Sequence, residues 1–367
     1  LFIGYGGRTK MDKRVDSNLL LDMSGMLNDI GFNLDDELGV ANMAEYHYDD
    51  GAVYGFPTKY ENSRWILINE DMFKEAGLDI PYDGWTYSEF LADAEKLTHG
   101  EGQDKVYGVC WARKQSGKSI LYALDGVLGA NQIYKNEEGT EVNFDNDVYR
   151  AGFNLVKETL DKGYAIPIED EFSEDISVAN TFLQGKCAIM LGVAQMRLCM
   201  DQENYPHDFT TALVPAPVPD DEKYNTEFYR KQIGTTGAGD LLSISANTKY
   251  PEASFEFAMW YLKGGMSPLV QGGRIPLWNG VNKDEVLSVL KEKAQGSIDM
   301  DSMENYLSLD TTQGVAAIKG HASSEISSAW FEEFDAMCYG KQSVDQTVQN
   351  MEKRGNELIQ TELSSQK

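Results

Sequence analysis

Carboxylates are the residues of this sequence with the broadest capacity for chemistry. The chain holds 59 aspartates and glutamates against 32 lysines and arginines. A glycosidase needs only two carboxylates, held roughly 5 to 10 Å apart across a sugar ring. A sequence cannot show which pair of so many side chains meets in space. A glycoside-cleaving enzyme is therefore an alternative that the composition permits but does not specifically support.

Other patterns that would indicate catalysis or metal binding are absent. There is no GxSxG, HExxH or P-loop signature. The segment "DNDVYRAG" begins like a calcium loop, but Val156 occupies the last ligand position, where a glutamate is needed. Asp and Asn are common helix caps, so we predict a helix start there. We expect no enzyme activity, no metal site and no cofactor. The histidines are too scattered to indicate a site: His47, His99, His207 and His321.

Aromatic residues indicate a different kind of chemistry. The chain contains 6 tryptophans and 19 tyrosines. An aromatic ring in a loop or at a strand end can stack on the apolar face of a sugar, while neighbouring carboxylates and amides bind its hydroxyl groups. Ordinary packing explains Trp111 and Trp278 equally well. Four tryptophans have such a context: Trp65, Trp111, Trp278 and Trp330.

The other two tryptophans are expected to fill cores, because most aromatic rings do. Trp85 lies just before a helix cap. Trp260 lies on the predicted apolar face of "YPEASFEFAMWYLKGG", with Ala253, Phe257 and Tyr261.

Helices with recognisable ends alternate with short apolar strands. Thr86 and Glu89 have the spacing of a capping box, and Gly77 and Gly163 are placed to end helices. The alternation predicts an α/β architecture. The predicted strands lie in "AVYGFP", "RWILIN", "KVYGVCW", "KCAIMLGV", "TTALVPAPV" and "LLSISA". A C-terminal helix is predicted from the stripe Val344, Val348, Met351 and Leu358.

Composition narrows the function classes. The net charge of -27 disfavours nucleic acid as a partner, since phosphates would be repelled. The apolar runs are all shorter than the ~20 residues of a membrane span. Four cysteines in a chain of this length do not indicate a disulfide framework, and we expect Cys110 and Cys187 to be buried thiols. The chain begins within the strand-like run "LFIGYGG", so we expect further residues to precede Leu1.

The run from Tyr54 to Thr98 resembles the family 1 extracellular solute-binding proteins. The family has a Tyr-Gly-x-Pro strand, a strand ending in Asn, a helix ending in Ala-Gly, and then a Pro and a Trp-x-x-x-Phe helix. Weaker matches follow in order at "FLQGKCAIMLGV", "TALVPAPVP" and "GKQSVDQTVQNMEKRGNELI". The residues that match the first pattern are Tyr54, Gly55, Pro57, Asn69, Phe73, Ala76, Gly77, Pro81, Trp85 and, one place late, Phe90.

The resemblance implies an α/β, two-lobed periplasmic-binding-protein-like fold with a hinged cleft, in which a strand, a helix and a second strand precede Leu1. We expect residues 1–109 and 246–290 to form the N-terminal lobe and residues 110–245 and 291–367 the C-terminal lobe. Glu61 matches a sugar-contacting glutamate of the family's maltose-binding member. The expected ligand contacts are Tyr5, Arg8, Tyr60, Glu61, Trp65, Trp111, Trp278 and Trp330.

The function that the resemblance implies is binding rather than turnover. The protein would be an extracytoplasmic, monomeric substrate-binding protein of an ABC importer, either a lipoprotein or periplasmic. Its partners would be a sugar, expected to be an oligosaccharide, and a membrane permease. A binder of a polyamine or a peptide is the main alternative, because the negative charge would suit a cation.

Overall fold

The chain divides into two compact units in a computed structural model, which describes residues 1–4, 7–39, 43, 46–60, 64–112, 133–173, 178–191, 195–231, 240–309 and 320–365. Unit 1 comprises Leu1–Asn62, Gly234–Lys293 and Leu309–Ala317. Unit 2 comprises Ser63–Ile233, Ala294–Ser308 and Ile318–Lys367.

This division differs from the predicted lobes in the first half of the chain. The sequence places residues 64–109 in the N-terminal lobe, whereas the structure places them in unit 2. The physical reason is strand pairing. The buried segment Trp65–Asn69 is hydrogen-bonded on both sides to strands of unit 2, so the residues that follow it fold there.

The elements have the following bounds in chain order. The strands are β1 Phe2–Gly4, β2 Phe56–Pro57, β3 Lys59–Tyr60, β4 Trp65–Asn69, β5 Tyr107–Cys110, β6 Cys187–Leu191, β7 Thr211–Pro215, β8 Leu241–Ser243 and β9 Ile275–Pro276. The α-helices are α1 Gly7–Asp16, α2 Ser24–Asp29, α3 Leu34–Leu38, α4 Glu70–Glu75, α5 Tyr87–Leu97, α6 Asp147–Asp161, α7 Ile168–Ser173, α8 Met196–Cys199, α9 Glu227–Arg230, α10 Pro251–Trp260, α11 Ser267–Val270, α12 Lys283–Ala294, α13 Met300–Ser308, α14 Ser323–Cys338 and α15 Val344–Ser365. A 3₁₀ turn at Gly102–Asp104 and π turns at Val178–Phe182 and Tyr261–Gly265 complete the described elements.

Unit 1 is organised by two small antiparallel sheets. The first has the order β1-β8-β2, and the second pairs β3 with β9. Gly55 permits the close approach of β2 to β8, because a Cβ there would lie 2.6 Å from the Ser243 hydroxyl. The core around these strands is rich in leucine and methionine, and it includes Met23, Leu38, Phe56, Ile244 and Ala258.

Unit 2 contains a four-stranded sheet of order β5-β6-β4-β7. Only the β5–β6 pair is parallel. Every residue of β4, β6 and β7 is buried, as expected for strands covered on both faces. Helix α5 lies directly on β5, since a Cβ on Gly108 would come within 2.2 Å of the Ala94 carbonyl oxygen. Helices α14 and α15 pack against each other and against α6.

The predicted helix signals are confirmed where the structure describes them. Thr86 and Glu89 form the capping box at the start of α5. The side chain of Asn146 accepts hydrogen bonds from the N–H groups of Val148 and Tyr149, so this segment is a helix cap as predicted. Gly77 and Gly163 follow their helices with φ near +67° and +68°, a conformation that favours glycine.

The predicted strands and thiols are confirmed as well. Each of the six predicted segments contains a strand, β2, β4, β5, β6, β7 or β8. All four cysteines are free. Burial raises the pKa of the Cys199 thiol to about 12, which keeps that thiol protonated and unreactive. Among the described residues, none of the helices has the length and apolar character that a membrane crossing requires.

Of the two tryptophans expected in cores, one is buried and the other is exposed. Trp85 is buried, and its indole N–H donates to the Pro215 carbonyl at 2.9 Å. Trp260 is 55 % exposed, and Phe257 on the same stripe is 49 % exposed, which corrects the prediction for this helix. The apolar side of α10 that packs into the core is the other one, formed by Phe255, Ala258, Met259 and then Leu262.

Candidate ligand-binding residues

Two of the predicted contacts, Tyr60 and Trp278, are carried by the β3–β9 pair of unit 1. Tyr60 ends β3 and is opposite Ile275 of β9. The ladder continues past β9, where the Leu277 N–H donates to the Thr58 carbonyl at 3.1 Å, and Trp278 follows. Residues more than two hundred positions apart in sequence are therefore carried by one small sheet. Both aromatic rings are half-buried against the unit 1 core.

Trp278 is held by helix α3. Its indole N–H donates to a carboxylate oxygen of Glu37 at 2.7 Å. The next residue, Asn279, donates its backbone N–H to the Glu37 carbonyl at 2.9 Å and its side-chain amide to the Asp36 carbonyl at 3.0 Å. The loop that carries the ring is thus fastened to α3 through both main-chain and side-chain bonds.

Gly280 lies against the same ring. A Cβ built on Gly280 would be 2.2 Å from the nearest ring carbon of Trp278, a distance that no real side chain tolerates. The sequence "LWNG" therefore needs its glycine because the indole occupies the space of a side chain. This contact and the Glu37 bond fix the orientation of the ring.

A short network of charges lies at the β3–β9 pair. The Lys59 ammonium group is 2.9 Å from a carboxylate oxygen of Asp240, and the Arg274 guanidinium is 3.7 Å from the same oxygen. All three side chains are partly shielded from solvent. Each provides donors or acceptors of the type that binds hydroxyl groups, in addition to the two aromatic rings.

Three of the predicted contacts fall outside what the structure describes. Tyr5 and Glu61 are outside the described residues, and so is the side chain of Arg8, whose backbone forms part of α1. Their proposed roles stay predictions that depend on the family resemblance. Glu61 directly follows Tyr60 in the chain.

Trp65 is located in the unit 2 sheet and has 2 % exposure. It begins β4, and its ring meets that of Tyr306 edge to face, with 5.3 Å between the ring centroids. Its indole nitrogen is buried without a hydrogen-bond partner. These surroundings support a packing role, because a sugar could not reach the ring face.

Trp330 lies in the aromatic core between α14, α15 and α6, with 1 % exposure. Its ring stacks on Phe334 at 5.0 Å with an angle of 9° between the planes, and it meets Phe153 edge to face at 5.7 Å. Of the acidic residues beside it in sequence, Glu332 is exposed and Glu333 pairs with Arg354 of α15. Burial here supports packing rather than ligand contact.

Trp111 follows β5 and is 4 % exposed. Its indole N–H donates to the Thr159 hydroxyl at 2.9 Å, and its ring lies 5.7 Å from Phe90. It borders a small apolar hollow of unit 2 that is also lined by Ile66, Leu155, Leu191 and Pro217. None of the described residues that line the hollow is charged.

Sequence reasoning missed the contribution of Glu37. This residue lies in "LDDEL", which forms the short helix α3, and it is 241 positions from Trp278. No local pattern connects two residues at such a separation. Only the packing of the loop after β9 on α3 makes Glu37 part of this group. Among the described residues, no cluster of three or more potential metal ligands is present.

Proteins of known structure resemble this chain over most of its length. The model of the bacterial extracellular solute-binding protein family matches residues 1–263. A sugar transporter from Rhizobium etli in an open conformation is similar, with a TM-score of 0.68 and 17% identity over 97% of this chain and 84% of its own.

Two further solved structures have the same degree of similarity. The ABC substrate-binding protein of Listeria monocytogenes in complex with cycloalternan has a TM-score of 0.68 and 16% identity, over 95% of this chain and 82% of its own. The cyclic alpha-maltosyl-1,6-maltose binding protein of Arthrobacter globiformis has a TM-score of 0.68 and 16% identity, over 98% and 84%. These likenesses confirm the expected α/β binding-protein fold. The chain belongs to the bacterial extracellular solute-binding protein family.

Proposed function

We propose that this protein is the substrate-binding component of an ABC importer and that its substrate is an oligosaccharide. The observation that carries the proposal is the family match together with the ligands of similar proteins. Solved structures of this fold include binders of cycloalternan, chitin oligosaccharide and acarbose. All three ligands are built from sugar or sugar-like rings that aromatic side chains can cover.

The proposed contacts combine ring faces with hydrogen-bonding groups. Trp278 and Tyr60 would stack on pyranose rings, and Glu61 would accept hydrogen bonds from hydroxyl groups. Tyr5 and Arg8 are proposed as supporting contacts. Burial leaves packing as the better-supported role for Trp65, Trp111 and Trp330, so the present proposal does not rely on them.

The mechanism proposed is a shift of population between conformations. A ligand that makes more contacts in a closed conformation than in an open one favours closure by the difference in its binding free energies. The closed protein would then deliver the sugar to a membrane permease. Delivery to a permease implies an extracytoplasmic location, in the periplasm or as a lipoprotein, and a monomer suffices for it.

A thermal-shift screen followed by calorimetry tests the proposal. The panel would contain maltose-type, cellulose-type and chitin-type oligosaccharides, several polyamines and short peptides. A ligand specific for the folded state raises the melting temperature by mass action. We expect an oligosaccharide to do so, with stoichiometric binding and no product formed. Glu61→Ala should weaken that binding more than about tenfold, or 1.4 kcal/mol, whereas Glu252→Ala on the exposed side of α10 should not.

The alternatives give different results in the same experiment. A response to polyamines alone would favour a cation binder, for which the net charge of -27 is the supporting observation. Release of shorter sugars during incubation would support a glycoside hydrolase. Either outcome would overturn the sugar-binding proposal without affecting the family assignment.

A further inference from the structure

The way in which Trp278 is fixed is unusual among the tryptophans of this chain. Trp85 and Trp111 donate their indole N–H to neutral oxygens, at 2.9 Å in each case, and both rings are buried. Trp278 is half-buried and donates to a carboxylate at 2.7 Å. A hydrogen bond to an ionised acceptor is shorter and roughly twice as strong as one between neutral groups.

The carboxylate is itself held in place. Glu37 lies in α3, where the Glu37 N–H donates to the Asn33 carbonyl at 3.0 Å. The carbonyl of Glu37 accepts the Asn279 N–H, and its carboxylate accepts the Trp278 indole N–H. The main chain and the side chain of Glu37 therefore both bind the loop that follows β9. A single residue of α3 therefore controls both the position of the loop and the tilt of the indole plane.

Core packing alone does not account for this arrangement. A ring that served only to cover apolar surface would need no charged partner, and a partly exposed carboxylate gives up water to form the bond. Gly280 packs its backbone against the ring, and Trp278 as a whole stays half-buried. A ring that is held in one plane and is only half-buried is what a stacking surface for a sugar requires, because stacking depends on orientation as well as on area.

We propose that Glu37 is a positioning residue for sugar binding: it holds the Trp278 ring in the orientation that stacks on a pyranose. The inference rests on the proposed function, since it assumes that Trp278 contacts sugar. Glu37 touches no ligand in this account. It acts by keeping the indole from rotating, so that the ring is ordered before the sugar arrives and less entropy is lost on binding.

The test separates ring order from sugar affinity. The protein would be labelled with 5-fluorotryptophan, which gives one ¹⁹F resonance per tryptophan and permits assignment by Trp278→Phe. Glu37→Ala should shift or broaden the Trp278 resonance and leave the other five in place. Glu37→Gln, whose amide oxygen still accepts the indole hydrogen, should preserve most of the wild-type resonance. Asp36→Ala, which removes an exposed carboxylate of the same helix, is the matched control.

Affinity would be measured by calorimetry with maltotriose, cellotriose and chitotriose, using whichever of these the wild-type protein binds. We expect Glu37→Ala and Trp278→Ala each to weaken binding by about tenfold, and the double variant to be no weaker than Trp278→Ala alone. Glu37→Gln should bind within about threefold of the wild type, because an acceptor remains.

Each other outcome has a distinct meaning. If Trp278→Ala weakens binding but Glu37→Ala changes neither affinity nor the resonance, Glu37 has no positioning role and the inference is overturned. If Glu61→Ala weakens binding while Trp278→Ala does not, the inference fails and the proposed function stands. If none of the three sugars binds, both the inference and the sugar-binding proposal are overturned.

Discussion

Trp260 on α10 is predicted to be buried and is exposed, whereas Trp330 on α14 is predicted to contact ligand and is buried. Trp260 belongs to an apolar helical stripe and is 55 % exposed, whereas Trp330 has acidic neighbours and is 1 % exposed. Helix α10 is apolar on two sides, and the fold buries the side that carries Phe255 and Met259. Helix α14 has only one apolar stripe, and Trp330 is part of it. For these two helices, whether the tryptophan is buried depends more on the number of apolar stripes than on the nearest charged residue.

The largest expected effect is at the buried ring. Trp330→Ala should destabilise the protein by about 3 to 5 kcal/mol, because it leaves a cavity among Phe153, Phe334 and their neighbours. Urea unfolding followed by circular dichroism would measure the change. Trp330→Phe is the control and should cost much less. A loss of sugar affinity at unchanged stability would instead make Trp330 a ligand contact.

A second effect concerns the tight packing of unit 2, in which Trp330 also lies. Gly108→Ala should cost about 1 to 3 kcal/mol, because the added methyl group meets the backbone of α5 and forces the helix away from β5. Gly264→Ala in unit 1, where nothing lies within 4 Å of the added atom, is the matched control. Equal stabilities of the two variants by thermal unfolding would contradict the packing described here.

A third effect tests the ionic contacts between α14 and α15. Burial by itself raises the pKa of Glu333, but hydrogen bonds from Arg354, Gln342 and Asn350 outweigh it and lower the pKa below its usual value. The stabilisation is therefore complete above the unfolded-state pKa of about 4.5 and is lost as the pH falls through the lower folded-state value.

Replacing Glu333 by glutamine should consequently reduce the loss of stability between about pH 5 and pH 3. The free energy of unfolding would be measured at several pH values across this range. The exposed residue Glu325 on the same helix provides the control, since Glu325→Gln should retain the wild-type profile. Identical profiles for all three proteins would show that the Glu333 network contributes nothing to acid stability.

The smallest effect is expected at the exposed stripe. Phe257→Ala should change the free energy of unfolding by no more than about 0.5 kcal/mol, because the ring is 49 % exposed and its ring partner Trp260 is exposed as well. Chemical denaturation of the variant beside Trp330→Ala gives the direct comparison. A loss of several kcal/mol would mean that Phe257 belongs to the core after all.

Local signals predicted much of the secondary structure. Thr86 and Glu89 form the capping box that their spacing predicts, and Asn146 caps α6. These features depend on hydrogen bonds between residues only a few positions apart, so the chain itself specifies them. The predicted boundary at residue 109 had no such signal. It depended on which strands Trp65–Asn69 pairs with, and those partners are more than a hundred residues away.

In the candidate site, too, some features are predicted by local sequence and others depend on the fold. The glycines and polar neighbours in "GGRIPLWNG" predict that its tryptophan contacts sugar. No local pattern associates it with Glu37, and none distinguishes a half-buried Trp278 from a buried Trp111. Exposure depends on what the rest of the fold places over a ring.

The sequence by itself determined the α/β class, the helix ends, the strands and the family, because these depend on local hydrogen bonding, on the periodicity of apolar residues and on motifs in a fixed order. Only the tertiary structure decided which face of α10 is buried, where Trp65 and Trp330 lie, and that Glu37 holds Trp278. The physical reason is that burial and long-range hydrogen bonds are properties of pairs of segments. Which of two apolar faces a helix buries depends on the segment that packs against it. Which donor a carboxylate binds likewise depends on the segment that the fold brings next to it.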